Sequence, residues 1–441
     1  MPDSTREVQT MVDHLFRQEA GRMVAILTRL FGIHNLELAE DVMQDTLHQA
    51  LKDWSLGAVP DNPSGWLMVV AKRKAINAIR RERLLRSFAT DIDALLKSEW
   101  TAAYTMDQVF LEDEIKDSQL RMIFTCCHPA LPMEGQVALT LKTLCGFSIP
   151  EIAAALLTSE STINKRLYRA KEKIRQELIQ FTVPSGLSLV PRLDAVLLVI
   201  YLLFNEGYNS SGDNPVIRQD LCLEAMRLAM LLIEKPVTME GRASVAMQGR
   251  KPAGTTVDYP PIYALLALLC LHSARFEARI DTNNSLVVLE EQDRNLWNKE
   301  LITQGIQFLS RSAGGDEVTA YHLEAAIAAE HCLAPDFQST NWGKIHEYYS
   351  SLEKLKPSSV IKLNQAIVTG KKDGPRAAIS LLHELEKHRA LDGYYLLYAS
   401  LGEFYQQIGK AAEATAYFRR AQALTKSPAI REALERKIQQ R

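Results

Sequence analysis

Apolar positions recur at intervals of three and four along nearly the whole chain, the spacing that collects on one face of an α-helix, while runs alternating β-branched and polar residues are nearly absent. The pattern predicts an all-α protein. Breaks in it divide the chain into a first block over residues 1–87, a polar join over 88–116 and a second compact block over 117–182. Thr182-Val183-Pro184-Ser185-Gly186 reads as a linker to a larger third unit, divided into a helical extension over 187–285 and helical repeats over 286–441.

Within that third unit, Lys235–Pro261 collects Pro, Gly, Thr and Met without periodicity and reads as a long loop. Ala366, Ala378 and Leu382 align with Gly402, Ala414 and Phe418 at an offset of 36, a repeat whose small residues let paired helices approach closely. The stretch LGEFYQQIGKAAEATAYFRRA resembles a tetratricopeptide unit.

The 441 residues, 47% hydrophobic, suffice for about two to four domains. A net charge of -2 gives no global attraction to nucleic acid, so a DNA-binding face must come from local segregation of charge. The start lacks a basic stretch followed by an apolar one, and no apolar run approaches the ~20 residues that span a bilayer, so a cytoplasmic protein without membrane contact is expected. Six cysteines without CxxC spacing suit buried thiols better than disulfides or zinc, and no metal or cofactor is expected.

Charge is segregated within the first block. A helix beginning near Asn35, its expected cap, buries Ala39, Val42, Met43, Thr46, Leu47, Ala50 and Leu51 and turns Glu37, Glu40, Asp41, Gln44 and Asp45 outward. Acids near a helix start are also what the helix dipole favours on a plain solvated face. Beyond a loop over Trp54–Gly65 a second helix turns Val69, Ile76 and Ile79 inward and groups Arg73, Asn77 and Arg80 on another face. It carries Lys72, Arg73, Lys74, Arg80, Arg81, Arg83 and Arg86 against the single acid Glu82, a composition suited to tracking phosphates.

The second block contains a helix-turn-helix. Ser148 and Glu151 form a capping box with Pro150 in the first turn, followed by Ile152, Ala153 and Leu156 facing the core. After a turn at Thr158-Ser159, a third helix buries Ile163, Leu167, Ile174 and Leu178. It exposes Ser161, Thr162, Lys165, Arg166 and Arg169 near the end that enters a major groove in this motif. A purely structural three-helix bundle carries the same apolar stripes without that basic face.

Together, LAEDVMQDTLHQAL, GWLMVVAKRKAINAIRRER and FSIPEIAAALLTSESTINKRLYRAKEKIR resemble, in order and spacing, the extracytoplasmic-function sigma factors of the sigma-70 family over residues 8–180. FTCCHPALP, LDAVLLVIYLLFNEGY and the repeat tail resemble a subgroup with a long C-terminal extension. The resemblance implies that Glu37, Glu40, Asp41, Gln44 and Asp45 dock on the β′ clamp of core RNA polymerase, with the β flap as a second contact. Asp61, Asn62 and Ser64 would receive a base flipped from the promoter −10 element while Lys72, Arg73, Asn77, Arg80 and Arg81 hold its strand. Ser159, Ser161, Thr162, Lys165, Arg166 and Arg169 would read the −35 duplex. The extension would regulate activity, through a regulatory protein or a contact within the chain.

Two other readings compete. Catalysis would need Cys126-Cys127-His128, or His322 and His331, to assemble a nucleophile or metal site, but the adjacent cysteines lack a positioned third partner and His322 and Glu324 are not at ligand spacing for one helix face; Asn205-Glu206-Gly207-Tyr208 reads as a helix end. No catalytic residue is assigned. A helical-repeat scaffold with an incidental DNA-binding domain leaves the charge pattern of the first block without a purpose.

Overall fold

The computed structural model describes residues 3–56, 59–83, 110–156, 158–184, 189–208, 217–234, 259–281, 287–315, 317–388, 391–425 and 428–439. Among them lie 18 α-helices and no strand, as the periodicity requires. The chain divides into two compact units, Met1–Leu203 with Arg227–Val257, and Phe204–Met226 with Asp258–Arg441.

The first unit is built on α1 (Asp3–Phe31). Its Met23, Ile26, Leu27, Leu30 and Phe31 repeat at helical spacing and pack against Ala39, Val42 and Ala50 of α2 (Leu36–Leu56) and Leu67, Ala71, Ala75 and Ile79 of α3 (Pro63–Arg83). Trp54 and Trp66, with ring centroids 5.5 Å apart, close this core beside Phe16. The burial of Trp54 carries α2 on to Leu56, so the loop expected over Trp54–Gly65 is shorter, and its residues 57 and 58 lie outside the described ones.

Three apolar residues expected inside are exposed. Val69 stands two residues, some 200° of helix, from both Leu67 and Ala71, which puts it on the far side of α3 at 49% exposure. Leu51 gives way to Ala50 and Trp54 on α2. Leu178 lies past the end of α7 (Glu160–Gln176) in a left-handed conformation, φ 49°, and Ile179 takes the buried place. Asn35 closes α1 by donating to the Phe31 carbonyl at 2.8 Å instead of capping α2.

A second face of α1 meets the helix-turn-helix. A Cβ on Gly21 would lie 1.9 Å from the Leu144 carbonyl oxygen, so only glycine admits this approach. Beside it, Arg17 pairs with Glu151 at 2.8 Å. The helices α4 (Glu112–Cys126), α5 (Met133–Thr143), α6 (Ile149–Ala155) and α7 thus share one unit with the first block. Helix α4 starts inside the span read as a polar join because Ile115 is buried and Arg29 binds Glu114 at 2.5 Å; residues 88–109 of that span lie outside the described ones.

The boundaries between the units fall within α8 (Leu189–Tyr208), within α9 (Gln219–Glu234) and between residues 257 and 258, and residues 185 and 186 of the expected linker lie outside the described ones. In the second unit, Gly207 ends α8 against α9, where a Cβ would stand 2.7 Å from Cys222 Sγ. Residues 235–258 of the expected loop lie outside the described ones, and its last prolines open α10 (Pro260–Ser273), buried on nearly every side. There follow α11 (Lys299–Ser312), α12 (Ala320–Leu333) and α13 (Trp342–Leu355). Next come α14 (Ser359–Asp373), α15 (Pro375–Lys387), α16 (Tyr395–Gln407), α17 (Ala411–Leu424) and α18 (Pro428–Gln439). The hairpins α14–α15 and α16–α17 start at Ser359 and Tyr395, 36 residues apart, which is the sequence repeat made structural.

At Gly402 a Cβ would stand 2.5 Å from the Phe418 ring. Gly402→Val therefore forces the α16–α17 pair apart, and a loss of about 1–3 kcal/mol is expected, read as a lower urea midpoint with unchanged slope.

Candidate functional site

Two helix faces and one helix end gather the candidate residues of the first unit. On α2, Glu37, Asp41, Gln44 and Asp45 are exposed. Glu40 is not. Its carboxylate, 13% exposed, accepts a bond from Lys171 Nζ of α7 at 2.6 Å, and Arg175, one turn further along α7, pairs with Glu37 at 2.8 Å and reaches the His34 carbonyl at 3.4 Å. The far half of α7 therefore lies across the first turn of α2. Sequence reasoning missed this pair, although Lys171 and Arg175 stand at the i, i+4 spacing that puts two cations on one face.

Before α3, Asp61 and Asn62 are exposed and Ser64 is half-buried. Asn62 is committed locally: its Oδ1 accepts from the Gly65 N–H at 2.9 Å, with Pro63 following it at the helix start, where a missing N–H costs nothing. That fixes the approach to α3. Along α3, Arg73, Asn77, Arg80 and Arg81 are exposed and Lys72 and Lys74 half-buried. Arg86 and the side chain of Arg83 lie outside the described residues.

The capping box of the helix-turn-helix is formed: Ser148 N–H donates to Glu151 Oε2 at 2.8 Å and Glu151 N–H to Ser148 Oγ at 3.4 Å. Residue 157 of the turn lies outside the described residues. Ser159 is the N-cap of α7, its Oγ accepting from the Thr162 N–H at 3.3 Å and within 3.0 Å of the Ser161 hydroxyl. Ser161, Lys165 and Arg169 are exposed, with Thr162 and Arg166 half-buried. Tyr168, 68% exposed among these cations, was not singled out from sequence, where one aromatic at a solvent position carries no signal.

The rival chemistry does not assemble. Cys126 and Cys127 are buried, and burial pushes the Cys126 thiol up to about 12 and raises that of Cys127 as well, the reverse of an activated nucleophile. His128 uses Nδ1 to accept from the Ala130 N–H at 3.2 Å, and His322 completes the capping box of α12. Among the described residues no helix is long and apolar enough to cross a membrane.

Residues 15–84 match the family Sigma-70 region 2, residues 121–174 the family Sigma-70, region 4, and residues 192–248 and 250–313 a family of unknown function, DUF6596. An uncharacterised protein of Rhizobium meliloti is 35% identical over 394 residues, 88% of this chain and 86% of its own length. The ECF RNA polymerase sigma factor SigE of Mycolicibacterium smegmatis is 28% identical over 40% of this chain and 65% of its own length. RNA polymerase sigma factor YlaC of Bacillus subtilis is 28% identical over 38% of this chain and 91% of its own length.

Because Ser159 caps α7 while Ser161 only joins its hydroxyl cluster, Ser159→Ala is expected to cost about 1 kcal/mol and Ser161→Ala less than about 0.5, measured by thermal unfolding.

Proposed function

The chain belongs to the extracytoplasmic-function sigma factors of the sigma-70 family, and we propose that it binds core RNA polymerase through the acidic face of α2 and directs initiation at promoters with −10 and −35 elements. The observation that carries this reading is the sequence of three surfaces within one unit: acids on α2, cations on α3, and hydroxyls with cations at the start of α7. Glu37, Glu40, Asp41, Gln44 and Asp45 are the proposed contacts to the β′ clamp, with the β flap as a second contact. Asp61, Asn62 and Ser64 take a flipped −10 base, and Lys72, Arg73, Asn77, Arg80 and Arg81 hold the backbone. Opening DNA forfeits roughly 1–2 kcal/mol of stacking per step, which a base pocket and charged strand contacts offset. Ser161, Thr162, Lys165, Arg166 and Arg169 read the −35 duplex, while Ser159 orients them by capping the helix.

The extension is proposed to regulate this activity. In support, Arg227, within the segment matching DUF6596, donates to Gln119 of α4 at 3.3 Å, reaching the helix that opens the DNA-binding block.

The testing experiment is transcription in vitro from a promoter library with core polymerase. Transcripts sharing a two-part upstream motif are expected, with Arg166→Ala losing about 1–3 kcal/mol at one −35 position and Arg80→Ala lowering yield across sequences. Silence from the full chain and from a chain ending at Pro184, which lacks Arg227 and the rest of the extension, would sink the reading, and identical yield and start sites from both would remove the regulatory role.

Polymerase docking on α2 requires release of Glu40 from Lys171 and Glu37 from Arg175. Lys171→Ala with Arg175→Ala is therefore expected to tighten binding to core polymerase without DNA by several-fold, about 1 kcal/mol, in a fluorescence titration. Weaker binding would show that the two cations help docking.

A further inference from the structure

The second unit contains a cavity of about 610 Å³, within the ~300–1,000 Å³ of typical small-molecule pockets. Its apolar wall comes from Ile367 of α14, Leu396 and Ala399 of α16, Phe418 of α17 and Leu434 of α18. The end of α10 and the segment after it contribute His272, Arg275, Arg279 and Gln292, with Tyr208 beside them, while α16 and α18 add Tyr395, Ser400, Glu403 and Lys437.

These cations are unusually placed. Arg275 is 8% exposed and gives Nε to Gln292 Oε1 at 3.2 Å. Arg279 lies 3.6 Å over the Tyr208 ring and gives Nη1 to the Tyr208 carbonyl at 3.3 Å. Among the described residues neither has a carboxylate partner within ion-pair distance. Glu403, the acidic side chain on the lining, is held by Lys437. His272 Nδ1 is shielded from solvent without a hydrogen-bond partner, and burial, with Arg275 and Arg279 nearby, holds the ring neutral with its pKa down at about 3. A buried guanidinium is costly without a counter-charge, and the buried Arg275 with the half-buried Arg279 beside an apolar wall lack only the anion.

We propose that this cavity binds a small organic anion with an apolar body, its carboxylate against Arg275 and Arg279 and its hydrocarbon against the α16–α18 wall. Guanidinium forks match carboxylate geometry, and the extent of apolar wall favours a fatty or aromatic acid over a free inorganic ion. Nothing in this inference depends on the polymerase or promoter contacts.

The test is calorimetric titration of the full chain with dodecanoate and with 2-naphthoate, using dodecanol and dodecylammonium as comparators. One site per chain is expected, with at least one acid bound about tenfold or more tighter than both comparators. Arg279→Gln and Arg275→Gln each weaken acid binding about tenfold or more, Arg279→Lys retains part of it, and Ala399→Phe, which fills the apolar wall and leaves the cations in place, weakens it as well. Circular dichroism checks each variant, and if either glutamine variant loses its helicity, the other two variants decide. Equal binding of alcohol and acid, unchanged binding by well-folded variants, or no saturable binding of either acid would overturn the proposal.

Discussion

At Gly21 the backbone of α1 lies against the Leu144 carbonyl with no room for a Cβ, and the arrangement of the candidate surfaces depends on this approach. One helix has to serve two cores, since α1 packs α2 and α3 with one face and receives the helix-turn-helix with another. Any side chain at Gly21 would lever the two apart. With the approach made, Arg17 meets Glu151 and α7 is brought across the start of α2, where Lys171 and Glu40 pair at 17% and 13% side-chain exposure. A pair so shielded is less screened by salt than an ordinary surface bridge, so it opposes any competitor for Glu40 over a wide range of ionic strength.

The all-α class, the capping box and the 36-residue repeat were legible in the sequence because each rests on local spacing: hydrophobic period, a Ser-x-x-Glu signature, small residues at matched offsets. The failures share a different cause. Apolarity alone points Val69 and Leu51 inward, whereas the true stripe is set by which turn meets α1, a tertiary fact. Asn35 and Ser159 show the same limit from the polar side: a short side chain beside a helix start serves the backbone when the chain geometry offers it a free N–H or carbonyl. The Lys171 and Arg175 pairs join residues more than 130 positions apart, which no window on the sequence connects.

The second unit arranges charge by another logic. Helix α10 is so fully buried that its polar residues collect at its end, where His272 and then Arg275 and Arg279 emerge among aromatic rings. Arginine tolerates this setting because its flat, weakly hydrated cation stacks on tyrosine and tryptophan, whereas a lysine ammonium would demand water.

The six cysteines have a consequence for how this protein meets oxidants. All are buried, and those at 126, 127, 270 and 332 keep their protons far above neutral pH, so peroxide or an alkylating reagent finds almost no thiolate in the native state. Modification then proceeds through transient opening, and its rate becomes an internal clock for the breathing of each unit: Cys126 and Cys127 time the first, Cys270 and Cys332 the second.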